Sequence, residues 1–192
     1  MEVTSHFIGI KINNKVFGNL FTALQQYCKD NQIESTITLQ DIHSLHVTLY
    51  YLPKEISSQE LDIIKTSINT LNNLEKEFIL TPTQIRYFKK DKKEFLAYIE
   101  CFQNDKLKKF NLELADQYNK NQIPDNQYMY IPHISLFQIN AYELFMKHKD
   151  HIGNIVRQSL KEMIGENLFQ GFYLFEVNGT SHPEMQRVVT FP

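Results

Sequence analysis

The sequence predicts an α+β fold built as two similar lobes, and three observations carry that prediction. Strand-like and helix-like stretches alternate along all 192 residues with no low-complexity linker between them. Two strand-like stretches far apart in the chain share one design, Leu45-His46-Val47-Thr48-Leu49-Tyr50-Tyr51-Leu52 and Pro132-His133-Ile134-Ser135-Leu136-Phe137. The order strand, helix, motif strand also recurs in the two halves. A single domain over residues 1–192, made of two intimately packed lobes, is expected.

Taken in order, Ser5–Asn13 alternates as a first strand, with Phe7, Gly9 and Lys11 on one face and His6, Ile8, Ile10 and Ile12 on the other. The stretch itself leaves open which face meets the core. From about Val16 to Asn31, Phe17, Leu20, Phe21, Leu24 and Tyr27-Cys28 recur at helical spacing. Ile37–Asp41 reads as a short connector into the first motif strand. After Pro53, Ser57 and Glu60 form a capping signature for a helix marked by Leu61, Ile64, Ile68 and Leu71, ending near Asn72-Asn73.

Glu77–Phe88 is strand-like, and Pro82 within it predicts a bulge or an edge position. Lys89-Lys90-Asp91-Lys92-Lys93 reads as a hairpin tip leading to a strand over Phe95–Phe102. Asp105–Asn119 is amphipathic, Asn121–Gln127 is a polar loop holding Pro124, and Tyr128–Ile139 is the second motif strand. Tyr142–Ile164 is a helix with an expected interruption near Gly153. Asn167–Gly179 and Gln186–Phe191 close the chain as a hairpin across Thr180-Ser181-His182-Pro183-Glu184.

Composition narrows the function classes. Hydrophobic content of 42% and charged content of 22% are ordinary for a soluble globular protein. Glu2 follows Met1, and the apolar run from Phe7 to Ile10 is too short for a signal peptide or a membrane span, which predicts a cytoplasmic protein without membrane contact. Cys28 and Cys101 lack metal-site spacing and are expected as buried free thiols. A formal charge of −2 argues against a surface that tracks long duplex nucleic acid, whose affinity comes from neutralising many phosphates. It leaves room for a cleft that takes one cyclic phosphate, an RNA end or a cyclic nucleotide or oligonucleotide. A monomer is the default expectation.

The chemistry lies in the two motif strands. In a strand, i and i+2 share a face, so His46 and Thr48 point one way while Val47 and Leu49 point to a core; His133 and Ser135 repeat this against Ile134 and Leu136. Of seven histidines, only these two are followed two residues later by a hydroxyl residue. Paired imidazoles suit a general acid and a general base, and each hydroxyl can donate a hydrogen bond to an anionic oxygen. That chemistry fits a phosphodiester. With these motifs, an opening strand containing FIGI and an ending RVVTFP, the chain resembles the 2H phosphoesterase superfamily along almost its whole length. That superfamily is named for two His-x-Thr/Ser motifs and includes RNA 2′,3′-cyclic phosphodiesterases, also called 2′-5′ RNA ligases.

The resemblance implies two antiparallel sheets related by a pseudo-two-fold, helices outside, and both motif strands lining a central cleft. It implies His46 and His133 as the catalytic pair and Thr48 and Ser135 as phosphate binders, with no metal and no cofactor. Tyr50 and Phe137, read on the motif faces, and Tyr130 are candidates either to stack a base or to pack the cleft wall. Several relatives carry an Arg beyond the second motif where this chain has Gln138, so a cationic clamp would have to come from Lys11, Arg86 or Arg187.

The expected activity is metal-independent hydrolysis of 2′,3′-cyclic phosphates on RNA ends or nucleotides, with ligation as the conceivable reverse reaction. The alternatives are cleavage of cyclic oligonucleotide signals or 2′-5′ oligoadenylates, and a nucleotide-binding module without turnover. His148 and His151, spaced i, i+3, lack the acidic or cysteine neighbours of a metal site and are expected at the surface.

Overall fold

The structure is a computed structural model, and it describes residues 3–53, 56–75, 78–102, 105–118, 130–179 and 187–191. Eight strands form one largely antiparallel sheet: β1 (Val3–Ile12), β2 (Ile37–Leu39), β3 (His46–Tyr51), β4 (Pro82–Lys90), β5 (Lys93–Cys101), β6 (His133–Ile139), β7 (Phe169–Gly179) and β8 (Arg187–Phe191). The helices are α1 (Gly18–Asp30), α2 (Ser58–Leu74), α3 (Asp105–Tyr118) and α4 (Tyr142–Glu162).

Strand order across the sheet is β4-β5-β6-β3-β1-β7-β8, with β2 also paired to β6. The order falls into two antiparallel halves, β3-β1-β7-β8 and β4-β5-β6-β2. One bridging pair, Val47↔Ile134, joins them. The α+β architecture with paired motif strands at its centre is therefore the one observed.

The helix-facing side of the sheet is the core. On β1 the face left open by sequence is settled: Ile8, Ile10 and Ile12 are buried in the main apolar cluster with Leu20 and Leu24 of α1 and Ile64 of α2. Helix α2 begins with the expected cap: the Ser57 hydroxyl accepts from the Glu60 N–H, and the Ser57 N–H donates to the Glu60 carboxylate. It is tied to the sheet by Asn72, whose side chain accepts from the Phe172 N–H at 2.7 Å and donates to the Phe172 carbonyl at 2.8 Å. Helix α4 packs on β4 and β5 and against α1. Cys28 and Cys101 are buried free thiols.

Several expectations need correction. The expected connector at Ile37–Asp41 contains a strand, β2, which is too short for alternation to be read from three residues. Glu77 lies outside the described residues, and residues 78–81 are not strand; β4 begins at Pro82 itself, on the edge of the sheet, with a register shift just beyond it. Of the second motif strand expected from Tyr128, residues 128–129 lie outside the described residues and 130–132 are not strand. So β6 begins at His133, and Pro132 just before it has no N–H to offer a ladder. Helix α4 runs unbroken through Gly153, which is buried. The hairpin tip is confirmed, with Asp91 and Lys92 both at positive φ, as a two-residue primed turn requires. The expected loops at 121–127 and 180–184 lie outside the described residues. Among the described residues, no helix is long and apolar enough to cross a membrane.

Candidate active site

The two motif strands sit side by side at the centre of the sheet in equivalent registers. On β3, His46 pairs with Lys11 and Thr48 with Gly9; on β6, His133 pairs with Glu100 and Ser135 with Tyr98. Both histidines and both hydroxyl residues line one cleft of about 310 Å³ on the face away from the helices. Four of the sequence-derived site residues are thus brought together.

Each imidazole is held in the same way. Nδ1 of His46 lies 2.7 Å from the Ser44 carbonyl, and Nδ1 of His133 lies 2.8 Å from the Ile131 carbonyl. A carbonyl oxygen only accepts, so each Nδ1 must carry the proton and donate it. The basic lone pair of each neutral ring therefore sits on Nε2, the nitrogen this anchor leaves free for chemistry. An anchor from residue i−2 is local; before β3 it is Ser44, which ends the 3-10 turn Ile42–Ser44 and is followed by extended Leu45.

Packing and electrostatics set the protonation state. His46 lies 4.7 Å from the Phe7 ring and 5.1 Å from the Phe175 ring, and those two rings stack on each other at 4.7 Å. His133 meets the rings of Phe88 at 4.9 Å and Tyr98 at 5.2 Å. Burial pushes the His46 pKa down to about 4, opposed by the Ser44 hydrogen bond and reinforced by repulsion from His133. Burial also lowers the pKa of His133, against the hydrogen bond to Ile131. A charge on His133 disfavours one on His46, so the pair resists carrying two protons at once.

A β-bulge in each motif strand re-aims two of the stacking candidates. On β3, Gly9 pairs with Thr48 and Ile8 with Tyr50, so Leu49 is an extra residue. On β6, Tyr98 pairs with Ser135 and Ala97 with Phe137, so Leu136 is extra. Each bulge exchanges the faces of everything after it. Phe137 is consequently fully buried and packs toward Phe145 of α4; it cannot stack a base. Tyr50 sits opposite Ile8, and borders an adjoining hollow that Thr48 and His133 also line, together with Asn111 and Tyr130.

Tyr130 donates its hydroxyl to the Thr48 carbonyl at 3.2 Å, a tie from the chain preceding one motif strand to the other motif. The residues that do reach the cleft five positions after each histidine are Tyr51, 64% exposed, and Gln138. Sequence reasoning assigned neither to substrate. Their signal, a break in alternation, is hidden because Leu49 to Leu52 and Leu136-Phe137 are apolar or aromatic throughout.

Two of the candidate cationic clamps are otherwise engaged. Lys11 lies over the Tyr173 ring at 5.4 Å, and Arg86 pairs with Glu100 at 3.3 Å. Among the described residues, no Lys or Arg lines the cleft. His148 accepts or donates a hydrogen bond with the Tyr27 hydroxyl at 2.9 Å, and His151 stacks on the Tyr27 ring. No group of three His, Cys, Asp or Glu side chains is placed to hold a metal ion among the described residues.

No family model matches the sequence, and no curated relative matches it. Solved structures do match its fold. The chain is similar to TT0787 of Thermus thermophilus at 14% identity and a TM-score of 0.56, over 98% of this chain and 95% of that one. It is similar to E. coli LigT complexed with 3′-AMP at 11% identity and a TM-score of 0.54, again over 98% and 95%. The LigT complex with NADP+ gives 13% identity and a TM-score of 0.56 over the same shares. At these identities the likeness establishes the fold, which is the one the paired motifs imply.

Proposed function

We propose that this chain, which has the fold of LigT and TT0787, is a 2H phosphoesterase: a metal-independent phosphodiesterase that opens 2′,3′-cyclic phosphates of RNA ends or nucleotides. The observation that carries this reading is the matched pair of imidazoles, each with Nδ1 tied to a backbone carbonyl and Nε2 left free, across a cleft that also holds Thr48 and Ser135. E. coli LigT is seen complexed with 3′-AMP and with NADP+, which supports a nucleotide in the equivalent space.

In the proposed reaction, neutral His46 accepts a proton through Nε2 from the water that attacks phosphorus. His133, protonated, gives its proton to the ribose oxygen that leaves. The stronger lowering at the more deeply buried His46 supports giving the acid role to His133. Thr48 and Ser135 donate hydrogen bonds to the non-bridging oxygens, where negative charge must be held. An anionic phosphate between the rings favours their charged forms, so it draws the acid's pKa back up when substrate binds.

The test is hydrolysis of a short RNA ending in a 2′,3′-cyclic phosphate, with EDTA present, by wild type and His46→Ala in parallel. Phosphorus NMR locates the product phosphate and so identifies the ester oxygen that leaves. Opening by wild type alone supports the reading. No opening by wild type overturns it, and the next substrates are then cyclic oligonucleotides and 2′-5′ linkages.

A further inference from the structure

The β4–β5 hairpin continues the floor of the cleft and ends in a cationic tip that the proposed reaction does not use. Along β6 and β5 the register steps outward from the chemistry: Glu100 lies opposite His133, Tyr98 opposite Ser135, and Leu96 opposite Gln138. Phe95 comes next. Phe88 pairs with Leu96 and Lys89 with Glu94, so Phe95 is the extra residue of a bulge. The bulge turns its ring outward, and Phe95 lines the cleft while remaining 40% exposed. Beyond it the tip carries Lys89, Lys90, Lys92 and Lys93 around Asp91.

Only one of those lysines is committed. Lys93 pairs with Glu143 at 3.7 Å and lies over the Tyr142 ring. Lys89 sits in register with Glu94, which bonds Lys149 of α4, so it lies on the helix side of the sheet. Lys90 and Lys92 make no ion pair among the described residues and are exposed. At roughly 3.3 Å per residue, the path from Tyr98, beside Ser135, to Lys92 is about 20 Å. A mononucleotide in the cleft cannot span it, whereas a chain of several nucleotides can. The local excess of positive charge is set against a chain of formal charge −2, so attraction for a polyanion is concentrated at this end.

We propose that this hairpin guides the single-stranded RNA upstream of the cyclic phosphate, with Phe95 stacking a base at the cleft mouth and Lys90 and Lys92 neutralising backbone phosphates beyond it. The inference rests on the reading of the cleft as a cyclic-phosphate site, and it selects RNA ends over mononucleotides as the substrate class. Stacking on an exposed aromatic is indifferent to base identity, and lysines read only the backbone, so the guide favours length rather than sequence.

The experiment compares a tetranucleotide ending in a 2′,3′-cyclic phosphate with a 2′,3′-cyclic mononucleotide, using wild type, Phe95→Ala, and the double variant Lys90→Gln, Lys92→Asn. Asparagine is used at 92 because that residue sits at positive φ, which it tolerates. For the double variant, KM for the tetranucleotide is expected to rise while kcat and the mononucleotide KM stay fixed. Its salt dependence should flatten by about 1.4 in log–log slope, as two lost phosphate contacts on a single strand imply. Phe95→Ala should raise the tetranucleotide KM about tenfold with the slope unchanged.

Equal effects on both substrates, or none on either, overturn the proposal. Anisotropy of a labelled RNA ending in a 3′-phosphate separates this failure from failure of the assigned reaction. Weaker binding to the double variant sustains the guide even where no substrate turns over, and unchanged binding rejects it.

Discussion

The lobe around His46 and the lobe around His133 share a backbone but not a filling. In both, a His-x-hydroxyl triplet precedes a bulge at the third residue after the histidine, and the strand-pair registers match position for position. The difference lies opposite the hydroxyl. Gly9 faces Thr48, and its bare Cα leaves space into which Phe7 and Phe175 stack beneath the His46 ring. Tyr98 faces Ser135 and supplies its own ring, stacked on Phe88 at 4.2 Å, with both rings turning their edges to His133. One backbone plan therefore gives two imidazoles with unequal resistance to charge, and a reaction that needs one base and one acid requires that inequality.

The largest expected effect breaks the pair outright. His46→Ala and His133→Ala should each lower kcat by about 10²–10⁴-fold, the usual worth of a positioned acid or base. Affinity for 3′-AMP, measured by calorimetry, should change far less, because Thr48 and Ser135 remain. The wild-type pH profile should be bell-shaped, with the basic limb of kcat/KM below pH 6.5, since burial lowers His133 in the free protein. The basic limb of kcat should lie higher, because bound phosphate favours the imidazolium. Parallel loss of binding and turnover would reassign the histidines as ligand-holding groups.

Next in size is the loss of one hydroxyl. Thr48→Ala and Ser135→Ala should each cost about 10²-fold in kcat if they hold charge that develops during reaction. Thr48→Ser should recover most of the loss. The Tyr130 bond should survive all of these changes because it ends on the Thr48 carbonyl rather than its side chain. A rise in KM with kcat intact would mean that the hydroxyls bind ground state and transition state equally.

How much of this was legible in sequence depends on scale. The motif triplets could be read because each histidine and hydroxyl alternate with Val47 or Ile134, residues that bury completely. The Ser57–Glu60 cap was readable because a capping box depends on residues three apart. The face exchange at Leu49 and Leu136 was not, since the residues on both sides of each bulge are apolar or aromatic and alternation vanishes there. That is why Tyr50 and Phe137 were expected at the cleft, and why Tyr51 and Gln138 were not assigned to it. The inequality between the lobes was also hidden. It depends on Gly9 lying across from Thr48 and Phe175 lying across from Phe7, which are cross-strand facts with no local signature.

Gly9 offers a direct way to sharpen the comparison. A Cβ there would sit 2.8 Å from the Val47 carbonyl oxygen and 3.1 Å and 3.2 Å from the Phe175 and Phe7 rings. The carbonyl belongs to the backbone of the motif strand and cannot swing aside as a side chain can. Gly9→Ala should therefore destabilise the protein by about 2–3 kcal/mol, measured by denaturant unfolding, and should shift the His46 ring with its supports. A neutral outcome would show that the first lobe can accept the filling used by the second.

The smallest effect is a matter of proton linkage. His46 has a folded pKa of about 4 against an ordinary value of 6.5, so between those two pH values the unfolded chain binds more protons than the folded one. Its contribution to stability is complete above pH 6.5 and is lost as pH falls toward 4. At pH 5 the expected loss from this one ring is about 2 kcal/mol. His46→Gln fills a similar space without titrating, so the gap between the wild-type and variant stability curves should narrow by that amount between pH 7 and pH 5. The same comparison at His133 should give a smaller change, because that imidazole is less deeply buried. If the two histidines produced equal changes, the lobes would not divide the proton between them, and the assignment of His46 as base would lose its physical ground.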